Sequence, residues 1–246
     1  MIDAAHVVLP VAAFITSALT GVVGMGGGLM LLLVMAEFLS FTALIPVHGV
    51  NQFITHFSRA AVSFRNINYR ISLQFAIGAA IGAIAGSNYV LQISEELFKI
   101  LLGLFVLFSL FLPKFRTIKP IPGKWSIIGA ITSFCGLFVG ATGILIAPFF
   151  VNEGLDKEKL VATKAACQVF IHGSKVTAFF FLGFVLGPYL LLIIMMGIMS
   201  FLGSLTAKHL LSKIHERHFL LLFKIVIIAL ALRLTGIGLY RWQWTG

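Results

Sequence analysis

The chain has 246 residues, of which 59% are hydrophobic and 11% charged, with a formal net charge of +10 and a mean hydropathy of +1.05. A soluble domain is about 25% charged, and one core of this size cannot hide so much apolar surface, so a soluble globular fold is excluded and the outside faces lipid. The basic excess fits cytoplasmic loops of a membrane protein rather than a nucleic-acid surface.

Taken in chain order, the first uncharged run is Ala4 to Ala36. No basic region precedes it, so it reads as a first span and not as a cleaved leader. Further uncharged runs cover Ile71 to Ser94, Trp125 to Asn152 and Val176 to Ala207. Each exceeds the roughly 20 residues that a span needs. The pattern predicts helical segments at 5–23, 27–41, 44–64, 72–92 and 97–112, then at 125–140, 143–152, 159–182, 187–207 and 218–240. The segments flanking the glycines are short, which suits a broken helix or a re-entrant hairpin. Residues 113–124 form a Pro-containing link with Lys114, Arg116, Lys119 and Lys124 and no acid. Pro188 is expected to open a helix. Trp125, Tyr240, Trp242 and Trp244 stand at predicted span ends, where amphipathic rings prefer the interface. Cys135 and Cys167 sit in apolar segments without CxxC spacing and read as reduced packing residues. His209, His215 and His218 belong to a basic loop, and solvation is the simpler reading of them than a metal.

The chain repeats itself at an offset of 116. Ile15-Thr16-Ser17 falls on Ile131-Thr132-Ser133, Val23-Gly24 on Val139-Gly140, Gly27 on Gly143 and Leu29 on Leu145. Further on, Gln52, His56 and Ser58 fall on Gln168, His172 and Ser174, and Arg59 falls on Lys175. Polar matches inside apolar segments point to duplication. The organisation read from this is a first transmembrane repeat at 1–112, a basic cytoplasmic linker at 113–124 and a second repeat at 125–246. The positive-inside rule places the linker, the loop with Arg65 and Arg70, and the loop with Lys208, Lys213 and Arg217 on the cytoplasmic face. Glu95, Glu96 and the stretch Gly183 to Pro188 then fall outside, as do Arg233 and Arg241 against the rule. An odd number of segments per half makes the repeats inverted. The expected fold class is an all-α polytopic membrane protein of two inverted repeats, about five helical segments each, with Gly-rich helix breaks near the midplane.

Two constellations carry the chemistry. In the third segment His48, Gln52, Thr55, His56, Arg59 and Ser63 recur every three or four residues and share one helix face. The eighth repeats the pattern with Lys164, Gln168, His172 and Lys175. A charge at mid-bilayer costs about 3 kcal/mol even on the lenient insertion scale, so such residues face a bundle interior or a watery cavity. The bland reading is that Arg59 and Lys175 snorkel from helix ends while the histidines are bonded core residues. The second constellation is Gly24-Met25-Gly26-Gly27-Gly28 and its counterpart Gly140-Ala141-Thr142-Gly143. Glycine here breaks a helix, and the following helix presents a partly positive N-terminus inside the membrane, which suits an anion. Close helix packing is the competing use of these glycines. Acids are nearly absent from the spans, Glu37 being the one inside a predicted segment. The charge balance favours an anionic substrate, with Ser58, Ser174, Thr142, Gln52 and Gln168 as hydrogen-bond donors. The substrate-binding residues expected are Gly26, Gly27, Gly28, Gln52, His56, Ser58, Arg59, Thr142, Gly143, Gln168, His172, Ser174 and Lys175.

The glycine cluster Gly24-Met25-Gly26-Gly27-Gly28 after a first apolar helix, the polar helix downstream and the duplication resemble the sulfite exporter TauE/SafE family over essentially the whole chain. The second cluster departs from the pattern, with Ala141 and Thr142 in place of glycines. The resemblance implies a bacterial inner-membrane exporter of sulfite, an organosulfonate or a related sulfur anion.

The expected mechanism is secondary transport by alternating access, with His56 and His172 as candidates for proton coupling because histidine titrates near neutral pH. The alternatives are a passive anion channel and an intramembrane enzyme acting on an anionic lipid, which would need buried carboxylates or a metal. No nucleotide-binding motif is present. The expected partners are a small sulfur-containing anion, the lipid bilayer and the proton, with a homodimer as the assembly; no cofactor, metal or nucleic acid is expected.

Overall fold

The structure is a computed structural model that describes residues 3–23, 26–90, 93–110, 121–140, 142–150, 153–210 and 216–245. Residues 113–120, Gly24, Met25, Ala141, Lys213 and His215 lie outside the described residues, as do the side chains of Lys208, His209, Arg217, His218 and Trp244.

The described residues form helices and turns: α1 (Ala4–Val23), α2 (Gly27–Met35), α3 (Phe41–Val62), α4 (Tyr69–Val90), α5 (Glu95–Leu110), α6 (Lys124–Val139), α7 (Gly143–Phe150), α8 (Lys157–Phe181), α9 (Leu190–Leu210) and α10 (Glu216–Thr245). A 3-10 turn at Gly187–Tyr189, containing Pro188, leads into α9. The segments follow the expected ones to within a few residues, except that α2 stops at Met35 and α10 runs on to Thr245. Glu37 therefore lies just past α2, where it pairs with Arg233 at 3.0 Å. That pairing answers the charge that the positive-inside rule left stranded in the last helix.

Among the described residues, three stretches are long and apolar enough to cross a membrane: Tyr69–Val90, Gly187–Thr206 and Lys224–Gln243. Leu73, Ile77, Ile81 and Ile84 leave an exposed apolar stripe along α4, which is a surface for lipid rather than water. α3 and α8 have 22 and 25 residues, ample length, but their polar faces dilute the hydropathy. α2 and α7 have 9 and 8 residues. At 1.5 Å per residue they are about 13 and 12 Å long, under half of a hydrocarbon core of about 30 Å.

The chain packs as two compact units, one of residues 1–44, 93–112 and 187–246, the other of residues 45–92 and 113–186. Each unit takes helices from both sides of residues 113–124. The first unit holds α1, α2, α5, α9 and α10. There Gly203 lies against the Phe14 carbonyl, Gly238 against that of Glu96 and Gly103 against the Thr235 hydroxyl. Ser17 and Ser204 share a hydrogen bond of 2.7 Å. Small residues let helix backbones approach where apolar burial gives no drive within lipid.

The second unit holds α4, α6, α7, α8 and most of α3. Gly78 and Gly82 lie against the carbonyls of Ser126 and Ala130, and Gly129 against that of Phe75. Gly82 on Ala130 and Gly203 on Phe14 are contacts of the same kind, one in each unit. Trp125 is no interfacial anchor. It is buried, with its ring 4.5 Å from Phe150 and 6.5 Å from Phe75, because α4 and α7 cover the face that opens α6. Its neighbours in this core are Ile146, Cys167 and Ile171.

Polar contacts gather at one end of the second unit. Lys124 at the start of α6 pairs with Glu153 beyond α7. Asn66 donates to Glu158 at 3.2 Å, and the Asn68 backbone N–H donates to the Thr163 hydroxyl at 2.9 Å. The α6–α7 pair thus enters and leaves at the same end, and that end also carries the Arg65–Arg70 loop.

Candidate functional site

The second glycine stretch builds the site floor. α6 ends at Val139, and Gly140 follows with φ +77, which a residue with a Cβ rarely adopts. The chain then restarts as α7 at Gly143. The Thr142 carbonyl accepts from the N–H groups of Leu145 (3.0 Å) and Ile146 (3.3 Å). The amides of Gly143 and Ile144 belong to the first turn, which has no preceding carbonyls within the helix to bond. Gly136 leaves room for this restart, since a Cβ there would lie 2.6 Å from the Thr142 methyl.

α8 lays three polar side chains over the break. Gln168 accepts from the Thr142 hydroxyl through Oε1 at 3.0 Å. Its Nε2 lies 3.0 Å from where a Cβ on Gly143 would stand, so the amide hydrogens face the start of α7. Lys175 is 1% exposed, and its ammonium donates to the Gly140 carbonyl at 2.6 Å. A cation is favoured at the partly negative C-terminus of α6. One ammonium hydrogen is used there, and the group has three. His172, also buried, stands one turn before Lys175.

α3 supplies the opposite wall. His56 and His172 lie parallel at 4°, centroids 5.6 Å apart, while His48 meets His172 edge-on at 6.1 Å. Among the described residues Nδ1 of His56 and of His172 has no hydrogen-bond partner. Gly49 admits the Lys175 stem, a Cβ there falling 3.2 Å from Cδ, and Gly173 admits the Phe53 ring at 3.3 Å. Numbers rise along α3 as they fall along α8, so the two run antiparallel in this unit with their polar faces together. Gln52, buried on the same face of α3, belongs to this wall.

That register separates two residues that the sequence reading placed in one pocket. Arg59 is ten residues beyond Gly49, hence about 15 Å along α3 from the stem of Lys175. Its cationic neighbour is Lys164, and both act electrostatically on His56. Ser58 and Ser174 follow the histidines by two positions, about 200° round the helix, and so leave the shared face. The Ser58 hydroxyl donates to the Ile54 carbonyl at 2.9 Å. The Thr142 hydroxyl is likewise committed, to Gln168, and orients that amide instead of donating outward. Gly26, Gly27 and Gly28 belong to the first unit. Gly26 has φ +93 and precedes α2, and Gly27 lies against the Thr16 carbonyl and Thr20 hydroxyl, a close-packing use of glycine.

The acids of the second unit are occupied at its polar end: Glu153 with Lys124, Asp156 with Lys159 and Glu158 with Asn66. Among the described residues no group of three His, Cys, Asp or Glu is arranged to hold a metal ion. A model of the family described as sulfite exporter TauE/SafE matches residues 9–234. The chain belongs to that family. TauE/SafE proteins are membrane transporters and not enzymes, so this chain is a multi-pass membrane protein of the sulfite and anion exporter class. No curated protein and no solved structure matches it.

Three contributors to the TauE/SafE chain's polar wall stand outside the residues first singled out for binding. His48 and Lys164 were visible, since Lys164 is His48 plus 116. The Gly140 carbonyl was not, because a backbone acceptor leaves no mark in the residue type.

Proposed function

We propose that the chain exports a small sulfur oxyanion, sulfite or an organosulfonate, across the bacterial inner membrane by secondary transport with alternating access. The observation that carries this reading is Lys175: a buried ammonium whose partner is a neutral carbonyl, beside a helix start and a primary amide. Hydrogen bonds that involve a charged group contribute about 1.5–3 kcal/mol each. An oxyanion at this place would take the remaining hydrogens of Lys175, the Gln168 amide and the first amides of α7.

In this reading Gly143, Gln168, His172 and Lys175 bind the anion, Thr142 holds the Gln168 amide in place for it, and Gln52 and His56 complete the wall. Ser58 and Ser174 would enter only after a rotation of their helices. The duplication assigns Gly26, Gly27 and Gly28 the matching role in their own half, the repeats being 1–112 and 125–246. The halves are inverted in this scheme, which lets one sequence pattern serve both membrane faces.

The test is counterflow in liposomes. Vesicles of purified protein loaded with sulfite should accumulate labelled sulfite from outside, and Lys175→Gln should lower that uptake at least tenfold while the protein stays monodisperse. Uptake by Lys175→Gln at the wild-type rate would overturn the site. Linear, non-saturating flux would make the protein a channel.

A further inference from the structure

The surroundings of Lys175 are rich in hydrogen-bonding groups and poor in charge. The acids of its unit are Glu153, Asp156 and Glu158, and all are engaged at the polar end. The next basic residue along α8 toward its start, Lys164, is eleven positions away, about 16 Å along the axis. Arg59 is about 15 Å off along α3. What else lines the place bonds without a fixed charge. The Gln168 amide and the first amides of α7 donate. His172 is 2% exposed, and its Nδ1 has no hydrogen-bond partner among the described residues. An imidazole nitrogen donates or accepts according to tautomer. The flank is apolar: a Cβ on Gly136 would lie 3.6 Å from the Ile171 methyl and 3.9 Å from Cε of Lys175, and Ile146 and Ile171 are fully buried. One ammonium therefore stands among dipoles at low dielectric.

We infer that this site selects singly charged oxyanions, a sulfonate or hydrogen sulfite, and rejects dianions such as sulfate. The inference rests on the reading of Lys175 as the anion site and names the charge class of its substrate. With a monoanion the ligand and the ammonium cancel, and the ligand oxygens take their remaining hydrogen bonds from Gln168 and the α7 amides. A dianion leaves one charge without a counter-ion beside Ile146 and Ile171, and burial of an unpaired charge is strongly opposed. The partial positive charge at the start of α7 offsets only part of it. His172 suits either monoanion, because its free Nδ1 accepts from the hydroxyl of hydrogen sulfite or donates to a sulfonate oxygen.

Isothermal titration of the purified full chain in detergent, at one pH near neutrality, tests this with methanesulfonate, sulfate and thiosulfate. Methanesulfonate and sulfate are close in shape and differ by one charge. All three ligands keep their charge near neutral pH. The titration of Lys175 and His172 on α8 and of His48 and His56 on α3 is therefore common to them. Wild type is expected to bind methanesulfonate at least tenfold more tightly than either dianion. Thiosulfate is more weakly hydrated than sulfate, so its rejection separates charge from the cost of dehydration. Gln168→Lys, which adds a second ammonium, should narrow the ratio of methanesulfonate to sulfate affinity at least threefold. Either dianion binding wild type as tightly as methanesulfonate, with binding lost in Lys175→Gln, would overturn the selectivity and leave the site standing. An unchanged ratio in folded Gln168→Lys would also overturn it. Failure of wild type to bind any of the three, or sulfite, would overturn the site itself. The wild-type ratios decide the matter if Gln168→Lys fails to fold.

Discussion

His56 and His172 stack on each other in parallel planes 5.6 Å apart by centroid, and they are separated by 116 positions, the offset at which the chain repeats. At that offset each falls on the other. A residue that touches its own counterpart lies where the two copies of the pattern meet, and here that place is the seam between α3 and α8. Its lining is imidazole, the side chain that changes charge near neutral pH.

If these imidazoles carry the coupling proton, His56→Gln and His172→Gln should each abolish the stimulation of sulfite flux by an imposed pH gradient while lowering counterflow much less. The comparison is between gradient-driven uptake and exchange in the same vesicles. Equal loss of both activities would make the pair a binding wall only.

Gly82 on Ala130 and Gly203 on Phe14 should respond alike to substitution. A methyl at either position overlaps a backbone carbonyl, which cannot turn aside as a flexible side chain does. Gly82→Ala and Gly203→Ala should each destabilise by about 1–3 kcal/mol, read as a lower melting temperature in detergent. Gly236→Ala meets nothing within 4 Å and should leave the melting temperature unchanged.

The Lys124–Glu153 pair has side chains 14% and 18% exposed, so its partners are partly desolvated. Lys124→Glu or Glu153→Lys sets like charges together and should lower the melting temperature. The double exchange should recover most of the loss, giving a coupling on the order of 1 kcal/mol in a double-mutant cycle. A cycle with no coupling would show that the two ends of the α6–α7 pair are held by other contacts.

Asp156 caps α8 by accepting from the Lys159 backbone N–H at 2.8 Å. That bond is the main reason its carboxyl sits below the ordinary carboxylate range, and the Lys159 side chain acts in the same direction. A carboxyl with a depressed folded-state pKa stabilises above its unfolded pKa, and that stability is lost as pH falls through the folded value. Wild type should therefore lose thermal stability on acidification toward pH 3 more steeply than Asp156→Asn, which caps without titrating. Melting curves from pH 6 to pH 3 would show parallel slopes if the cap does not contribute.

Much of the candidate site is legible in the sequence because helical spacing is a local property. Positions 48, 52, 56 and 59 share a face wherever α3 lies, and so do 164, 168, 172 and 175. The same rule, applied strictly, removes Ser58 and Ser174, which chemistry alone had recruited as donors. What spacing cannot supply is the facing helix and its register. Arg59 and Lys175 match in the repeat, yet each meets the stretch of the facing helix set by antiparallel packing, and that separates them. Lys175 finds a carbonyl, Gly140, which exists as a free acceptor only because the helix stops there.

By itself the sequence determined the solvent of this protein and the helical segments found among the described residues. These follow from composition and from periodicities that every residue carries with it. Only the tertiary structure decided that α4 packs on α6 and α9 on α1, that Trp125 is core and not an anchor, that Glu37 answers Arg233, and that the basic residues divide between two ends of one seam. Those outcomes depend on which small residues meet which carbonyls between stretches far apart in the chain, and close packing of that kind is a property of two surfaces together, absent from either one alone.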